Sequence, residues 1–203
     1  MEDSLYRIPM TRQETKAKIL QQGAELVYRQ GFNNTGIQEI LDSAGVPKGS
    51  FYFYFKSKEQ FGLELIDYFM QFFRAMIGTH LRKSDSPPLE RLRAFFAAFE
   101  QVCLERECQT GCPIGNITQE MGGLNDAFRA KLDESFQRMK AAIASCLSEA
   151  QTAGEIAQDL DTDETADFIL NSWEGALLRM KAQKSTEPLS LFARFVFDRI
   201  LRK

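Results

Sequence analysis

Three times in the first sixty residues a serine or threonine is followed three positions later by glutamate or glutamine: Thr11 with Glu14, Thr35 with Gln38, and Ser57 with Gln60. Each pair can form a capping box, in which the hydroxyl accepts from a helix N–H and the longer side chain reaches back to the cap. Apolar residues three and four apart follow each box, as in Ile19, Ala24, Leu26 and Val27 after the first. Glycines close the segments at Gly31 and Gly45, and Pro47 restarts the chain as a first-turn residue. Alternating strand patterns are nearly absent, so the pattern predicts an all-α chain of nine helices. They fall at about 11–30, a two-turn helix after Thr35, Pro47 to about Tyr52, Ser57 to about Lys83, and 89–108, 113–121, 125–153, 161–184 and 188–201. The stretch Ser84–Pro88 reads as the first linker.

Charge and composition narrow the class. With 44% apolar residues and a net charge of −3, the chain can bury a core and is neither disordered nor fibrous. Residues 1–60 hold 8 basic against 7 acidic side chains and residues 61–203 hold 17 against 21, so the acidic excess lies in the second part and the first tolerates a polyanion. No apolar run is long enough to span a bilayer, and Glu2 and Asp3 stand where a signal peptide carries positive charge. A cytoplasmic protein with no membrane partner is expected, and Cys103, Cys108, Cys112 and Cys146 then read as reduced thiols. His80 is the single histidine, with no glycine-rich phosphate loop and no nucleophile elbow, which argues against an enzyme and against a cofactor. The cysteine spacings match no standard zinc signature, so no metal site is expected.

Two short helices joined by Ser43-Ala44-Gly45-Val46, flanked by longer ones, have the size and turn chemistry of a helix-turn-helix. Phe51 and Phe55, four apart, can hold the second short helix to its domain. Lys48, Gly49 and Ser50 at its start suit base edges in the major groove, where a glycine permits close backbone approach. Thr35, Tyr52, Tyr54 and Lys58 suit phosphates. On pattern alone these helices are equally compatible with a plain bundle, a helical adaptor that binds no DNA.

The run Gly45-Val46-Pro47-Lys48-Gly49-Ser50-Phe51-Tyr52-Phe53-Tyr54-Phe55-Lys56-Ser57-Lys58-Glu59-Gln60-Phe61, with Ile40, Ala44 and Gly31-Phe32 before it, resembles the DNA-reading segment of TetR-type repressors. Leu41 departs from the usual alanine. The resemblance implies a three-helix DNA-binding domain over residues 1–58 and a helical effector-binding and dimerisation domain over 59–203. It also implies a homodimeric repressor of double-stranded operator DNA, released by an effector.

In the second part, Cys112 between Gly111 and Pro113 falls at an expected helix N-cap, where the helix dipole would lower its pKa and raise its reactivity. It reads equally as a small buried hydrophobe. The run Gly111-Cys112-Pro113-Ile114-Gly115-Asn116 is similar to a stretch in the TetR branch that includes the electrophile-responsive repressor NemR. That similarity implies a sensor role for Cys112, with Lys181 as its paired lysine, while Pro113 and Ile114 are this chain's own variation. Cys103 and Cys108 can serve as resolving thiols, and Cys146 reads as core. For a non-covalent effector, Trp173, Phe99, Phe128 and Met121 are candidate pocket residues, with the indole N–H of Trp173 needing a partner if buried. Gly175, Ala176, Phe192, Phe195 and Val196 are expected at a four-helix dimer interface.

Overall fold

The computed structural model describes residues 11–82 and 85–202. Among them are nine α-helices and no strand. The chain divides into two compact units after Tyr68, inside the fourth helix, ten residues beyond the boundary expected from sequence. Glu2, Asp3, Lys83 and Ser84, which entered the sequence reading, lie outside the described residues.

In the first unit, α1 (Arg12–Gln30) opens on the expected capping box: Glu14 N–H donates to Thr11 Oγ1 at 3.2 Å, and Thr11 N–H donates to Glu14 Oε2 at 2.7 Å. Gly31, at φ 89°, ends it with an N–H to Val27 O bond. The second box does not form. The backbone at Gly36 is extended, so Gly36 becomes the N-cap of α2 (Ile37–Ala44) without a side-chain cap. Thr35 instead turns its hydroxyl back onto Gly31 O at 2.6 Å, and Gln38 donates along the helix to Asp42 Oδ1. Gly45, left-handed at φ 63°, closes α2.

The next helix, α3 (Lys48–Tyr54), begins as one 3-10 turn, Lys48–Ser50, and continues as a single α-turn, Phe51–Tyr54. At α4 (Lys58–Met76) the box is shared differently: Ser57 Oγ accepts from Gln60 N–H, while Gln60 Oε1 reaches Lys56 N–H, one residue before the cap. A π-helical turn, Ile77–Leu81, extends α4.

What fixes α3 is an aromatic triangle. Phe51, Phe55 and Phe61 are fully buried, with ring centroids 5.3, 5.9 and 5.2 Å apart. Gly23 of α1 lets that triangle close, because a Cβ there would lie 2.4 Å from Phe61 Cζ.

The second unit contains α5 (Pro88–Glu105), α6 (Pro113–Met121), α7 (Asp126–Thr152), α8 (Thr162–Gln183) and α9 (Glu187–Phe195), the last continued by a π-helical turn to Ile200. The long α7 packs on α5, α6 and α8, and α9 packs on α8. α5 stops three residues before its expected end because Glu107 and Cys108 both adopt left-handed φ, 55° and 56°, and reverse the chain. Phe96, Trp173 and Phe192 form the aromatic centre, each pair 5.0 to 5.1 Å apart. Nearby, buried Arg91 donates to Leu81 O and to the Glu149 carboxylate, tying the turn after α4 to α7 through α5.

Candidate functional site

The outer surface of α3 follows from its inner one. Residues 51 and 55 are locked inward, so Tyr52 and Phe53 point out, 67% and 60% exposed, beside exposed Lys48 and Gly49. Ser50 and Tyr54 are half-buried. A Cβ at Gly49 would meet no atom within 4 Å, and its φ is not left-handed, so nothing inside the chain calls for a glycine there. Lys58 is half-buried, donates to Asn33 O at 3.2 Å and lies 4.9 Å from the Phe32 ring centroid, which holds its ammonium at the turn between α1 and α2. Thr35 is a correction: it is 0% exposed and its hydroxyl is already spent on Gly31, so that side chain has no surface to offer a phosphate. Two residues were missed. Arg12 stacks 4.3 Å over the Phe53 ring and donates to Phe53 O, placing a cation beside α3. The signal for Phe53 was present, since an aromatic midway between two inward ones on so short a helix must face out.

The second constellation lies where α6 meets α8. Cys112 is the N-cap of α6, as expected, and its Sγ accepts from Gly115 N–H at 3.4 Å. The thiol is nevertheless not acidified. Burial raises its pKa well above the usual thiol value, the Glu174 carboxyl raises it further, and the Gly115 and Ile114 amides offset only part of this. Desolvation therefore wins over the helix dipole. The cation expected beside it is also elsewhere: Lys181 donates to Asn116 Oδ1 at 3.0 Å. The group that faces the sulfur is Glu174, and burial lifts this carboxyl to about 7, with the Cys112 hydrogen bond acting in the opposite sense.

Two glycines explain the geometry. A Cβ at Gly115 would lie 2.3 Å from Glu174 Oε2, and one at Gly111 would lie 3.1 Å from Lys181 Cδ. Each makes room for one charged side chain of α8, and Asn116 holds the second. The Gly111–Asn116 run is thus a docking strip for two α8 residues seven positions, or about two turns, apart.

A cleft of about 530 Å³ opens beside this strip, walled by α6, α7 and α8 and reaching Gly115, Thr118, Phe136, Asn171 and Glu174. Of the candidate pocket residues, Phe136 lines it, and Trp173, Phe99, Phe128 and Met121 do not. Trp173 is buried against Phe96 and Phe192, Phe128 is fully buried, Phe99 packs on Phe72, Phe73 and Phe95, and Met121 is half-buried at the end of α6. Cys103 and Cys108 are buried at the chain reversal, where Cys108 N–H donates to Cys103 O, and burial pushes the Cys103 thiol to about 11. Cys146 donates to Pro88 O from the core. Among the described residues no three His, Cys, Asp or Glu side chains gather as metal ligands.

Of the residues expected at a dimer interface, Gly175 and Phe195 are exposed, but Ala176, Phe192 and Val196 are buried in this chain's own core. The exposed apolar side chains on the outer faces of α8 and α9 are Phe168, Leu178, Leu191 and Phe195. Burial of 192 and 196 follows from α9 packing on α5 and α8, which turns those positions inward.

Known proteins share this fold. The family model for bacterial regulatory proteins of the tetR family matches residues 19–65, and that for the tetracyclin repressor-like C-terminal domain matches residues 88–196. The chain is 35% identical to the HTH-type transcriptional repressor DhaR of Mycobacterium sp. (strain GP1), over 95% of both chains. It is 38% identical to the transcriptional regulator AcuR of Cereibacter sphaeroides, over 87% of this chain and 80% of the relative. The HTH-type transcriptional repressor NemR of Escherichia coli is 27% identical, over 88% and 90%. Among solved structures, a regulatory protein TetR from Rhodobacter sphaeroides has a TM-score of 0.84 at 37% identity, covering 89% of this chain and 95% of that one. The reduced form of E. coli NemR has a TM-score of 0.81 at 26% identity, covering 91% and 95%. No described helix is long and apolar enough to cross a membrane.

Proposed function

Because the chain belongs to the TetR family of DNA-binding transcriptional regulators, and is therefore a regulator and not an enzyme, we propose that it is a cytoplasmic, homodimeric repressor released from its operator by an effector acting at the α6–α8 strip. The observation that carries the DNA-binding half is α3. Its inner face is locked by the Phe51–Phe55–Phe61 triangle, and its outer face offers an exposed lysine beside a glycine that no internal contact requires. A glycine with open space above it lets another molecule's surface approach the backbone closely. On this reading Lys48, Gly49 and Ser50 meet base edges, while Tyr52, Tyr54, Lys58 and Arg12 meet phosphates. Two copies, joined through the outer faces of α8 and α9, place their α3 helices about one DNA turn apart on a pseudo-palindrome.

The test is fluorescence anisotropy with the upstream region of the chain's own gene and a scrambled duplex, in matched salt. Lys48→Ala is expected to lose about 1–3 kcal/mol on the operator and little on the scrambled duplex. Tyr54→Phe is expected to weaken both duplexes alike. Equal losses in both variants would overturn the assignment of base and phosphate roles.

The effector half rests on Cys112 and the cleft beside it. A thiol-reactive effector that modifies Cys112, or a reversible ligand filling the cleft, would favour a dimer whose α3 spacing no longer fits DNA. Wild type and Cys112→Ser, each titrated with a thiol-reactive electrophile and with peroxide, separate the two. Release of DNA by wild type alone marks thiol sensing, and identical behaviour of both proteins points to a reversible ligand in the cleft.

A further inference from the structure

On the reading of the cleft as the effector site, its walls also select the class of molecule that enters it. α7 and α8 run antiparallel. Near the connection between them Ser148 Oγ lies 3.1 Å from Thr162 Oγ1, and further along α7 Lys140 Nζ reaches Asp163 Oδ2 at 2.8 Å and Asp167 Oδ2 at 4.0 Å. Lys140 and Asp167 thus mark one level of the helix pair, a cation on one side against an anion on the other. Seven residues, or about two turns, further from the connection on each helix, the same register sets Asp133 against Glu174. Both side chains line the cleft, as do Phe136 and Leu170 between the two levels. At this second level the cation is missing. Among the described residues neither Asp133 nor Glu174 forms an ion pair, and no lining residue is basic. The nearest basic side chains along the two helices are engaged elsewhere: Arg129 pairs with Asp126 at 2.7 Å, and Lys181 donates to Asn116. Asp133 is exposed and Glu174 half-buried, so the unbalanced charge runs from the rim of the cleft inward.

We infer that the cleft binds a small organic cation, an amidinium or ammonium on an apolar body, with the charged group between Asp133 and Glu174 and the body along Phe136 and Leu170. Two carboxylates facing one another beside an apolar wall repel, and a cation between them does what Lys140 does for Asp167 two turns away. A volume of about 530 Å³ suits a small molecule. The planar N–H groups of an amidinium can donate to carboxylates on both sides, as a guanidinium does. The apolar body displaces water from Phe136 and Leu170, and the Phe136 ring adds attraction for a cation passing over its face. Asp133, Asp167 and Glu174 together repel an anion of the same shape. Gly115 keeps the inner end open to this use, since a Cβ there would lie 2.3 Å from Glu174 Oε2 and displace the carboxylate.

The experiment is isothermal titration of the full chain with three molecules of one shape and different charge: benzamidinium, benzamide and benzoate, in matched salt at neutral pH. Benzamidinium is expected to bind, benzamide to bind about tenfold more weakly, as when charge-assisted hydrogen bonds become neutral ones, and benzoate to give no heat of binding. Asp133→Asn and Glu174→Gln are each expected to weaken benzamidinium about tenfold and to leave benzamide nearly unchanged. Asp133→Lys sets a lysine against Glu174 as Lys140 stands against Asp167, and should abolish benzamidinium binding. Asp133 is exposed, so this variant is expected to fold, and circular dichroism checks it. Asp159→Asn, which removes an exposed carboxylate outside the cleft, should change nothing. Equal affinity for benzamidinium and benzamide overturns the inference, as does benzamidinium that gives no heat at millimolar concentration or that still binds folded Asp133→Lys. Operator release is read separately by anisotropy. If benzamidinium binds wild type but not Asp133→Lys and DNA stays bound, the cation site stands while the effector reading of the cleft fails. If benzamide or benzoate releases DNA from wild type and benzamidinium neither binds nor releases it, the effector reading stands and the cation site fails.

Discussion

The two units solve opposite problems. The first keeps its charges outside and builds its function on a dry aromatic triangle, Phe51, Phe55 and Phe61, whose only task is to present the other face of α3. The second draws charged side chains inward, Glu174 and Lys181 into seats left by Gly115 and Gly111, and Arg91 against Leu81 and Glu149. A scaffold that reads a fixed partner gains from rigidity. A site that must respond gains from groups whose state can change, and a largely buried carboxyl near neutrality is such a group.

The contrast can be broken most forcefully at the triangle. Phe61→Ala is expected to destabilise the first unit by about 3–5 kcal/mol in denaturant melts, through lost burial and the cavity left behind. A loss below about 1 kcal/mol would show that the triangle does not set α3. Gly23→Ala tests the same packing from α1 and should cost about 1–3 kcal/mol, because the buried Phe61 ring must move from under the new methyl.

Glu174→Gln sharpens the other side through pH. Below the ordinary carboxyl value of 4.5 the glutamate is neutral in folded and unfolded chains alike, whereas from there to about 7 only the unfolded chain ionises. Native stability therefore declines across that window and levels off above it. The glutamine variant should be more stable than wild type by about 1–3 kcal/mol near pH 8, with the gap closing toward pH 4.5. A gap independent of pH would mean that the carboxyl is not the titrating group. The smallest effect belongs to Thr11→Ala, which removes the α1 cap and should lose about 1 kcal/mol at either pH.

Legibility in the sequence follows the same division. Local signals sufficed for the first unit: the Thr11–Glu14 box, the left-handed Gly45, and the i, i+4 pair Phe51 and Phe55 all act within a few residues. Thr35 misled because both Thr35 and Gly36 can precede a helix, and the fold used the glycine, leaving the hydroxyl to cap α1 from beyond its end. The α6 N-cap was legible at Cys112, but its chemistry was not. That chemistry depends on Glu174, sixty-two residues away, which no spacing rule joins to a Gly-Cys turn. The apolar periodicity of α9 likewise marks Phe192, Phe195 and Val196 as one group, and only the packing of α9 shows that 195 faces out while 192 and 196 face in.

The reversal between α5 and α6 places backbone strain next to this site. Glu107 and Cys108 stand side by side in the left-handed basin that residues with a Cβ avoid, at a conformational cost of roughly 1 kcal/mol or more each. Cys103 and Cys108 are both buried there, and the Cys108 N–H to Cys103 O bond closes the bend like a catch. The Gly111–Asn116 strip begins only three residues after the catch. Release of the catch would give the start of α6 slack with no need for any helix to unwind, because the strain lies in two residues between the helices.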